Sequence, residues 1–223
     1  MHTYTKNDNR RRGILMMLLA CLFFSLMDSV MKKLAGHYPA IQVTAMRALT
    51  SMPLIIAYVL WRRALPGLWK VRWPLHLLRV GLGVVMLTSF AFAIKSLPLT
   101  EAYALFFVSP LFIATLSIPL LGERVHRASW IAIGCGMVGV LVVLKPTGAG
   151  IISLAGLAIL FSASCYALSA ITVRLLSRTD SSESMVFWLM LGVSLAATAA
   201  ALPGWRPVNP EHYWLLAGLA VTG

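Results

Sequence analysis

Long apolar runs, separated by short segments rich in charge, proline and glycine, make up most of the chain from residue 13 onward. Each run approaches the roughly 20 residues that an α-helix needs to cross the hydrocarbon core of a bilayer. The pattern predicts seven spans, at residues 13–35, 40–61, 75–96, 99–121, 128–144, 151–177 and 183–203. An eighth apolar run begins at Tyr213 and reaches only Gly223. Because this length covers only part of a bilayer, we expect the natural sequence to continue beyond it.

The composition agrees with a membrane protein. Of the 223 residues, 59% are hydrophobic and 12% are charged, whereas a soluble domain carries about a quarter charged residues. The formal net charge of +12 would suggest nucleic acid for a soluble protein, but here the basic residues lie mainly between apolar runs. We therefore predict an all-α integral membrane protein whose surroundings are the lipid bilayer, with no nucleic-acid partner.

The distribution of Lys and Arg predicts the orientation in the membrane. If the N-terminus is cytoplasmic, twelve basic residues fall on the inner side and five on the outer side, which is the bias of the positive-inside rule. The arginines at residues 10–12 fit this topology, and a lipid-binding role for them stays open. No small-residue cleavage site precedes Gly13, so we expect the first run to be retained as a span.

The cysteines indicate no special chemistry. Cys21, Cys135 and Cys165 all lie within apolar runs, and neither a CxxC nor a Cys/His spacing is present. Packing as small apolar residues accounts for them. The sequence therefore predicts no catalytic residue, no metal and no cofactor.

Two segments of the chain form a weak internal repeat. FFSLMDSVMKKL begins at Phe23 and CYALSAITVRLL begins at Cys165. The separation from Phe24 to Lys32 equals that from Tyr166 to Arg174, at an offset of 142 residues that covers five spans. An odd number of spans inverts the second copy, and inverted repeats are typical of alternating-access transporters with a site between the halves.

Other segments carry a resemblance to a known family. MRALTSMPL at residues 46–54 and the block at residues 96–146 resemble EamA-type transporters of the drug/metabolite transporter superfamily. The block contains Pro-Leu-Phe in the fourth span, Gly-Glu at its end, the glycines of the fifth span and a final Lys-Pro. Residues 77–99 resemble superfamily members that carry S-adenosylmethionine or riboflavin.

The resemblance implies a ten-span fold of two inverted five-span repeats (5+5), of which about seven and a half spans are present. Residues 1–146 would form the first repeat, and residues 147–223 would form a second repeat truncated in its third span. It also implies a multi-pass protein of the bacterial inner (cytoplasmic) membrane that moves a small organic metabolite by alternating access. Amino acids, nucleoside-like or vitamin-like compounds and drugs are the expected classes of small-molecule substrate.

Two other functions stay open. A non-transporting membrane receptor or assembly subunit has no distinguishing sequence feature, and the sequence leaves a homodimer open as well. A membrane-embedded transferase would need His, Asp or Ser residues clustered near one membrane face. His76, His126 and Asp180 show no such spacing, so we predict that the protein is not an enzyme.

The fourth span holds the first candidate binding residues. Pro110 cannot donate to the carbonyl of Phe106, so the helix should kink there. The kink predicts a hinge or a cavity, with static packing as the alternative. On a regular helix Tyr103, Phe107 and Pro110 share one stripe, which suits either a flat organic ligand or ordinary helix packing.

Glu101 stands at the start of the same span, after Pro98 and Thr100. This arrangement is typical of a helix N-terminus, where a carboxylate is favoured by the helix dipole. A role in proton coupling is the alternative, if the helix begins inside an aqueous cavity.

Asp28 lies within the first span, where an ionised carboxylate is costly unless it is paired or hydrated. Arg47 is equally distant from the turn between the first two spans, so it should lie at a similar depth and could pair with Asp28. Lys32, one helical turn away, is a second candidate partner. The alternatives are that Asp28 is neutral or exchanges a proton during transport, and that Arg47 attracts an anionic group of the substrate.

The sixth span carries a polar stripe at helical spacing that includes Ser162, Tyr166 and Ser169. Such a stripe should face protein or water rather than lipid. Helix packing through small hydroxyl residues and ligand contact both explain it. Tyr166 is the strongest candidate for ligand contact, because its ring can stack and its hydroxyl can hydrogen-bond.

Overall fold

A computed structural model describes residues 3–69, 71–122, 125–144 and 153–222 of the chain. These residues form helices with short connections. The α-helices are α1 (Thr3–Ala35), α2 (Ala40–Trp61), α3 (Trp73–Ser96), α4 (Leu99–Phe106), α5 (Ser109–Leu121), α6 (Arg127–Leu144), α7 (Leu154–Leu176), α8 (Ser182–Ala201) and α9 (Tyr213–Thr222). Short 3₁₀ helices occupy Leu65–Gly67, Leu202–Gly204 and Pro210–His212.

Six helices of the described residues are long and apolar enough to cross a membrane. They are Gly13–Ala35, Ala40–Trp61, Trp73–Ser96, Leu99–Leu121, Leu154–Leu176 and Ser182–Gly204. Six of the seven predicted spans are thus confirmed to within a few residues. The fifth corresponds to the shorter apolar helix α6.

Several predicted features lie outside the described residues. They are the glutamate of the Gly-Glu pair at residue 123, the Lys-Pro at residues 145–146, the repeat boundary after residue 146 and the start of the sixth span at residue 151. The first helix also differs from its prediction. It begins at Thr3 rather than at Gly13, so the polar N-terminal segment continues the helix of the first span.

Apolar side chains from α1, α2, α3, α4, α7 and α9 meet in one core. α3 packs mainly against α7, and α2 packs mainly against α8. α9 contacts both α1 and α2. Large, fully buried side chains of this core include Met27, Met31, Leu34, Val43, Ile94, Ile159 and Leu219.

α3 and α8 approach each other closely at two positions where one of the helices carries a glycine, which has no side chain. A Cβ atom on Gly192 would overlap the methyl groups of Val80, and one on Gly83 would come within 3.2 Å of Leu189 and Val193. Only glycine leaves room for this helix spacing, which is the kind of contact that small residues provide between membrane helices.

Polar side chains tie the helices together at one end of the bundle. The Gln42 side chain donates to the carbonyl of Arg206 (2.7 Å) and accepts from its amide (3.0 Å). The hydroxyl of Tyr38 lies 2.8 Å from Nδ1 of His212. These bonds attach the segment before α9 to the turn between α1 and α2 and to the first turn of α2.

The opposite end is closed by the α2–α3 connection, which packs on the start of α8. Nε1 of Trp188 donates to the carbonyl of Leu68 (2.7 Å), and the Ser184 hydroxyl donates to the carbonyl of Gly67 (3.1 Å). The rings of Trp69 and Trp73 meet that of Trp188 with centroids 5.8 and 4.6 Å apart. Tryptophan at this level is typical of a membrane–water interface.

The fourth span is interrupted next to its proline. α4 ends at Phe106, α5 begins at Ser109, and Pro110 lies in the first turn of α5. A proline at this position removes the hydrogen bond that would join the two halves. The predicted break at Pro110 is therefore present.

Candidate functional site

A cavity of about 260 Å³ lies between α1, α2, α3, α4 and α7. It combines two charged side chains of opposite sign with several aromatic rings. Its walls are formed by Phe24, Met27, Asp28, Arg47, Met86, Leu87, Phe90, Tyr103, Phe106, Ser162 and Tyr166. The cavity thus collects five of the nine residues that the sequence predicts for a site: Asp28, Arg47, Tyr103, Ser162 and Tyr166.

Asp28 is held by a tyrosine from another helix. The hydroxyl of Tyr103 on α4 donates to Oδ2 of Asp28 on α1 at 2.7 Å. Both side chains are partly buried. Oδ1 of Asp28 accepts no hydrogen bond within the described part of the chain, and Asp28 lines the cavity.

Arg47 reaches the same cavity from α2. Its Nη1 donates to the thioether sulfur of Met31 at 3.9 Å, which is a weak acceptor. Arg47 and Asp28 attract each other electrostatically, but no direct ion pair joins these two described residues. Asp28 and Arg47 line the same cavity, which is consistent with the similar membrane depth predicted for them. The predicted direct contact between these two described residues is not made.

Lys32 does not serve as the alternative partner of Asp28. Its Nζ donates to the carbonyl of Leu97 at 2.7 Å. The long side chain thereby reaches the end of α3, where it satisfies one of the carbonyls that a helix C-terminus leaves unpaired.

Aromatic rings form a continuous wall of the cavity. The ring of Phe106 lies 5.7 Å from that of Phe90 and 5.4 Å from that of Tyr166, measured between centroids. The Phe90 and Tyr103 rings are 6.5 Å apart. Rings at these distances attract each other through edge and offset contacts, and the wall offers a flat apolar surface beside the two charges.

Ser162 and Ser169, both on α7, have different surroundings. The hydroxyl of Ser162 donates to the carbonyl of Met86 at 2.9 Å and fastens α7 to α3. Ser169 lies outside the cavity lining, and its carbonyl accepts from the Thr172 hydroxyl at 2.6 Å. The polar stripe therefore serves helix packing at Ser162, while Tyr166 faces the cavity.

The stripe predicted for the fourth span is divided by the helix break. Phe107 and Pro110 lie outside the cavity and line an apolar cleft against Ala132 and Gly136 of α6. The prediction assumed a constant turn of about 100° per residue. Because the backbone is interrupted after Phe106, residues beyond the break face a different neighbour from Tyr103.

Glu101 lies in the first turn of α4, outside the cavity lining. The helix cap is Pro98, and no side chain caps the terminus. The expectation of Glu101 at a helix start is confirmed, but Thr100 lies within the helix and is not its cap.

The structure brings together His76 and Asp180, which sequence spacing left apart. Nε2 of His76 lies 2.9 Å from Oδ2 of Asp180, and both side chains are buried. The Arg72 amide donates to the same oxygen at 3.2 Å, and the Thr179 hydroxyl donates to Oδ1 at 2.7 Å. The sequence held one indication of this contact: His76 and Asp180 flank connections that the predicted topology puts on the same side of the membrane.

The electrostatics of Asp180 follow from these partners. Burial acts to raise the pKa of its carboxyl. The hydrogen bonds from Thr179, His76 and the Arg72 amide, together with the charge of His76, outweigh burial, so this pKa lies below its ordinary value. The pair joins the first turn of α3 to the α7–α8 turn.

Metal chemistry finds no support in the described ranges. No group of three or more His, Cys, Asp or Glu side chains there is placed to hold an ion. The same ranges hold three free cysteines.

Apolar helices of membrane-spanning length around a cavity with inward-facing charges define a multi-pass helical membrane protein. The chain belongs to the EamA-like transporter family, whose model matches residues 11–145. The family is one of transporters and not of enzymes, as the sequence predicted.

Three relatives illustrate the family. The "Pseudopaline exporter CntI" of Pseudomonas aeruginosa is 30% identical over 96% of this chain and 75% of its own length. The "Riboflavin transporter" of Vibrio cholerae is 30% identical, over 92% and 70%. The "S-adenosylmethionine uptake transporter" of Rickettsia prowazekii is 25% identical, over 95% and 71%.

A solved crystal structure has the same fold. It aligns with a TM-score of 0.64 over 91% of this chain and 74% of the other, at 22% sequence identity.

Proposed function

We propose that this protein moves a small organic metabolite across the bacterial cytoplasmic membrane by alternating access, using the cavity around Asp28 and Arg47. The observation that carries the proposal is the cavity itself. Two charged side chains and a wall of aromatic rings face one space between apolar helices. Charged side chains within membrane spans face a protein interior or a water-filled path, and they mark substrate and ion pathways.

An inverted five-span repeat supports alternating access. A shift of five spans relates α1 to α7, α2 to α8 and α3 to α9. The contact of α3 with α7 then maps onto that of α9 with α1, and the contact of α3 with α8 maps onto that of α9 with α2. All four contacts occur. The contact of α2 with α8, which the shift maps onto itself, occurs as well. The packing therefore supports two related halves, at residues 1–146 and 147–223.

The directions of the helices agree with inversion. At the end of α1, Lys32 bonds to Leu97 at the end of α3. After the end of α7, Asp180 bonds to Arg72 and His76 at the start of α3. α1 and α7 therefore finish at opposite ends of α3, as the first helices of two inverted repeats would.

The cavity also lies where such a repeat would place a site. Phe24 and Tyr166 are related by the 142-residue offset, and both line it. Sites of inverted-repeat transporters lie near the midplane, between the halves. We therefore propose that the chain has the architecture of a ten-span fold made of two inverted five-span repeats (5+5).

The membrane and the orientation are part of the proposal. The relatives are bacterial proteins, and the excess of basic residues on one side favours a cytoplasmic N-terminus. The relatives are named for both export and uptake of organic compounds, so we propose the substrate class and leave the direction open. The homodimer and a coupling role of Asp28 or Glu101 stay predictions.

Vesicle transport tests this function. The chain is reconstituted into sealed vesicles, and uptake and efflux of riboflavin, S-adenosylmethionine and a panel of labelled amino acids are measured against protein-free vesicles. We expect movement of at least one compound, saturable and reduced by the double variant Asp28→Asn/Arg47→Gln. A folded chain that moves none of them in either direction would instead favour a non-transporting receptor or assembly subunit.

A further inference from the structure

A cleft separates α6 from α5 and from the end of α7. It has two adjoining parts, with free volumes of about 520 and 380 Å³, and both parts are lined by Pro110 and Ile133. Neither part is enclosed by protein. α6 packs mainly against α4, so the rest of this helix stands apart from the bundle. We call this continuous space the α6 cleft, and it shares no lining residue with the cavity around Asp28.

One face of α6 lines the cleft along most of the helix. Its residues recur at intervals of three and four, as neighbours on a helix face do. They are Ser129, Ala132, Ile133, Gly136, Met137 and Val140. From the first to the last, the helix rises roughly 16 Å, which is about half of the ~30 Å hydrocarbon core of a bilayer. The cleft therefore has the depth of one leaflet.

Polarity changes along the cleft. At the start of α6 it is lined by His126 and Ser129, and α7 adds the charged side chain of Arg174. Beyond the break in the fourth span the lining is apolar, with Phe107 and Met137 among its members. The start of α6 lies on the side predicted to be cytoplasmic. The cleft thus suits an amphiphile whose polar end lies at the cytoplasmic surface.

The apolar part of the cleft requires a filling within a bilayer. An empty space deprives the atoms around it of dispersion contacts, and water is stable in such a space only where it finds several polar partners. The opposite face of α6 exposes Ile131, Val138 and Val142, as a helix surrounded by hydrocarbon would. A hydrocarbon chain is the filling that this environment supplies.

We propose that the α6 cleft binds one anionic glycerophospholipid of the cytoplasmic leaflet. An acyl chain lies between α6 and α5, and the phosphate lies at Arg174 and His126. A guanidinium matches phosphate oxygens in a bidentate way, and basic pockets between membrane helices on the cytoplasmic side bind anionic headgroups. This inference goes beyond the proposed function, because the site is separate from the transport cavity.

Native mass spectrometry of the purified, delipidated chain tests the site. The probes are dioleoylphosphatidylglycerol, which is anionic, and dioleoylphosphatidylcholine, which has the same acyl chains and no net charge. We expect one tightly bound lipid per chain and a preference of about fivefold for the anionic lipid, the effect of one basic residue at the headgroup level. Inorganic phosphate at matched ionic strength should not displace it.

Two glycine variants test the position of the acyl chain. Gly136 lines the cleft, whereas Gly134 lies on the same helix outside the lining. A Cβ atom at either position would meet nothing within 4 Å, and leucine is the better helix former at both. Gly136→Leu should fill the cleft and lose the bound lipid with either headgroup. Gly134→Leu should keep the lipid and the preference.

Two arginine variants test the position of the headgroup. Arg174→Gln should abolish the preference for the anionic lipid. Arg178→Gln is the matched control, since this exposed arginine follows α7 at the same end and does not line the cleft. It should keep the preference.

Four results would overturn the lipid site. They are equal binding of both lipids by the unmodified chain, equal loss of preference in both arginine variants, unchanged lipid binding in Gly136→Leu, and displacement of the lipid by inorganic phosphate. A melting temperature in lipid-free detergent that is lower for Gly136→Leu than for Gly134→Leu would also overturn it, because protein would then fill the cleft. The vesicle assay of transport is read separately, so the proposed function stands or falls independently of this site.

Discussion

The hydroxyl of Tyr103 donates a 2.7 Å hydrogen bond to Asp28, although 75 residues separate them in the chain. The bond links α1 to the short helix α4 at the wall of the cavity. It holds one oxygen of Asp28, and it makes the position of this side chain depend on a helix that ends at a break.

Removing this hydroxyl should destabilise the protein measurably. In Tyr103→Phe, the carboxylate of Asp28 loses the hydrogen bond from the Tyr103 hydroxyl, and bonds to charged groups contribute about 1.5 to 3 kcal/mol. We expect a melting temperature several degrees lower in detergent. Tyr166→Phe is the control, since it removes a hydroxyl from the same cavity that makes no hydrogen bond in the described ranges. Equal melting temperatures for both variants would contradict the assigned bond.

The buried pair of His76 and Asp180 should give stability a specific pH dependence. Because the pKa of Asp180 is lower in the folded protein than in the unfolded one, its contribution is complete above the unfolded value of about 3.9 and is lost as the pH falls through the folded value. The melting temperature of the unmodified protein should therefore exceed that of Asp180→Asn at pH 5. The difference should shrink toward pH 3.

Glu183→Gln provides the control at the same end of the bundle. It removes an ion pair with Arg62 at 3.5 Å, in which the arginine side chain is 55% exposed, and such exposed pairs contribute little. We expect a small change in melting temperature. If the difference in melting temperature between the unmodified protein and Asp180→Asn stays constant down to pH 3, the pair of His76 and Asp180 is not the source of that difference.

The close approach of α3 and α8 should not tolerate a methyl group. In Gly192→Ala the new Cβ meets the branched side chain of Val80, whose χ1 angle has little freedom in a helix. Overpacking of this kind costs roughly 1 to 3 kcal/mol, so the melting temperature should fall. Gly81→Ala adds the same methyl on α3 where nothing lies within 4 Å, and it should leave the melting temperature nearly unchanged or slightly higher.

The break in the fourth span should close when Pro110 is replaced. Pro110→Ala restores an N–H that can donate to the carbonyl of Phe106, so the backbone amides between Phe106 and Leu111 should exchange hydrogen more slowly. If the break is a hinge, transport in vesicles should slow as well. Pro119→Ala changes the other proline of α5, away from the break, and should slow exchange only locally. Unaltered exchange near Phe106 in Pro110→Ala would show that packing, not the proline, sets the break.

Apolar pattern and length predicted the spans because burial in lipid acts on each helix separately. The bounds of α2, α7 and α8 and the break before Pro110 follow from local rules of helix length and proline geometry. The resemblance of residues 96–146 to EamA-type proteins likewise depended on residues that lie near each other in the chain. Predictions of this kind required no knowledge of which helices are neighbours.

The cavity depended on helix neighbours and on rotation about each helix axis. The equal depth of Asp28 and Arg47 could be estimated by counting from one turn, but the hydrogen bond from Tyr103 to Asp28 could not be predicted. The pair of His76 and Asp180 was missed for the same reason, since 104 residues separate its members. The sequence alone thus determined a helical membrane protein, its spans and its family resemblance. Tertiary structure decided which charges meet, because contacts between distant helices depend on packing that no local pattern encodes.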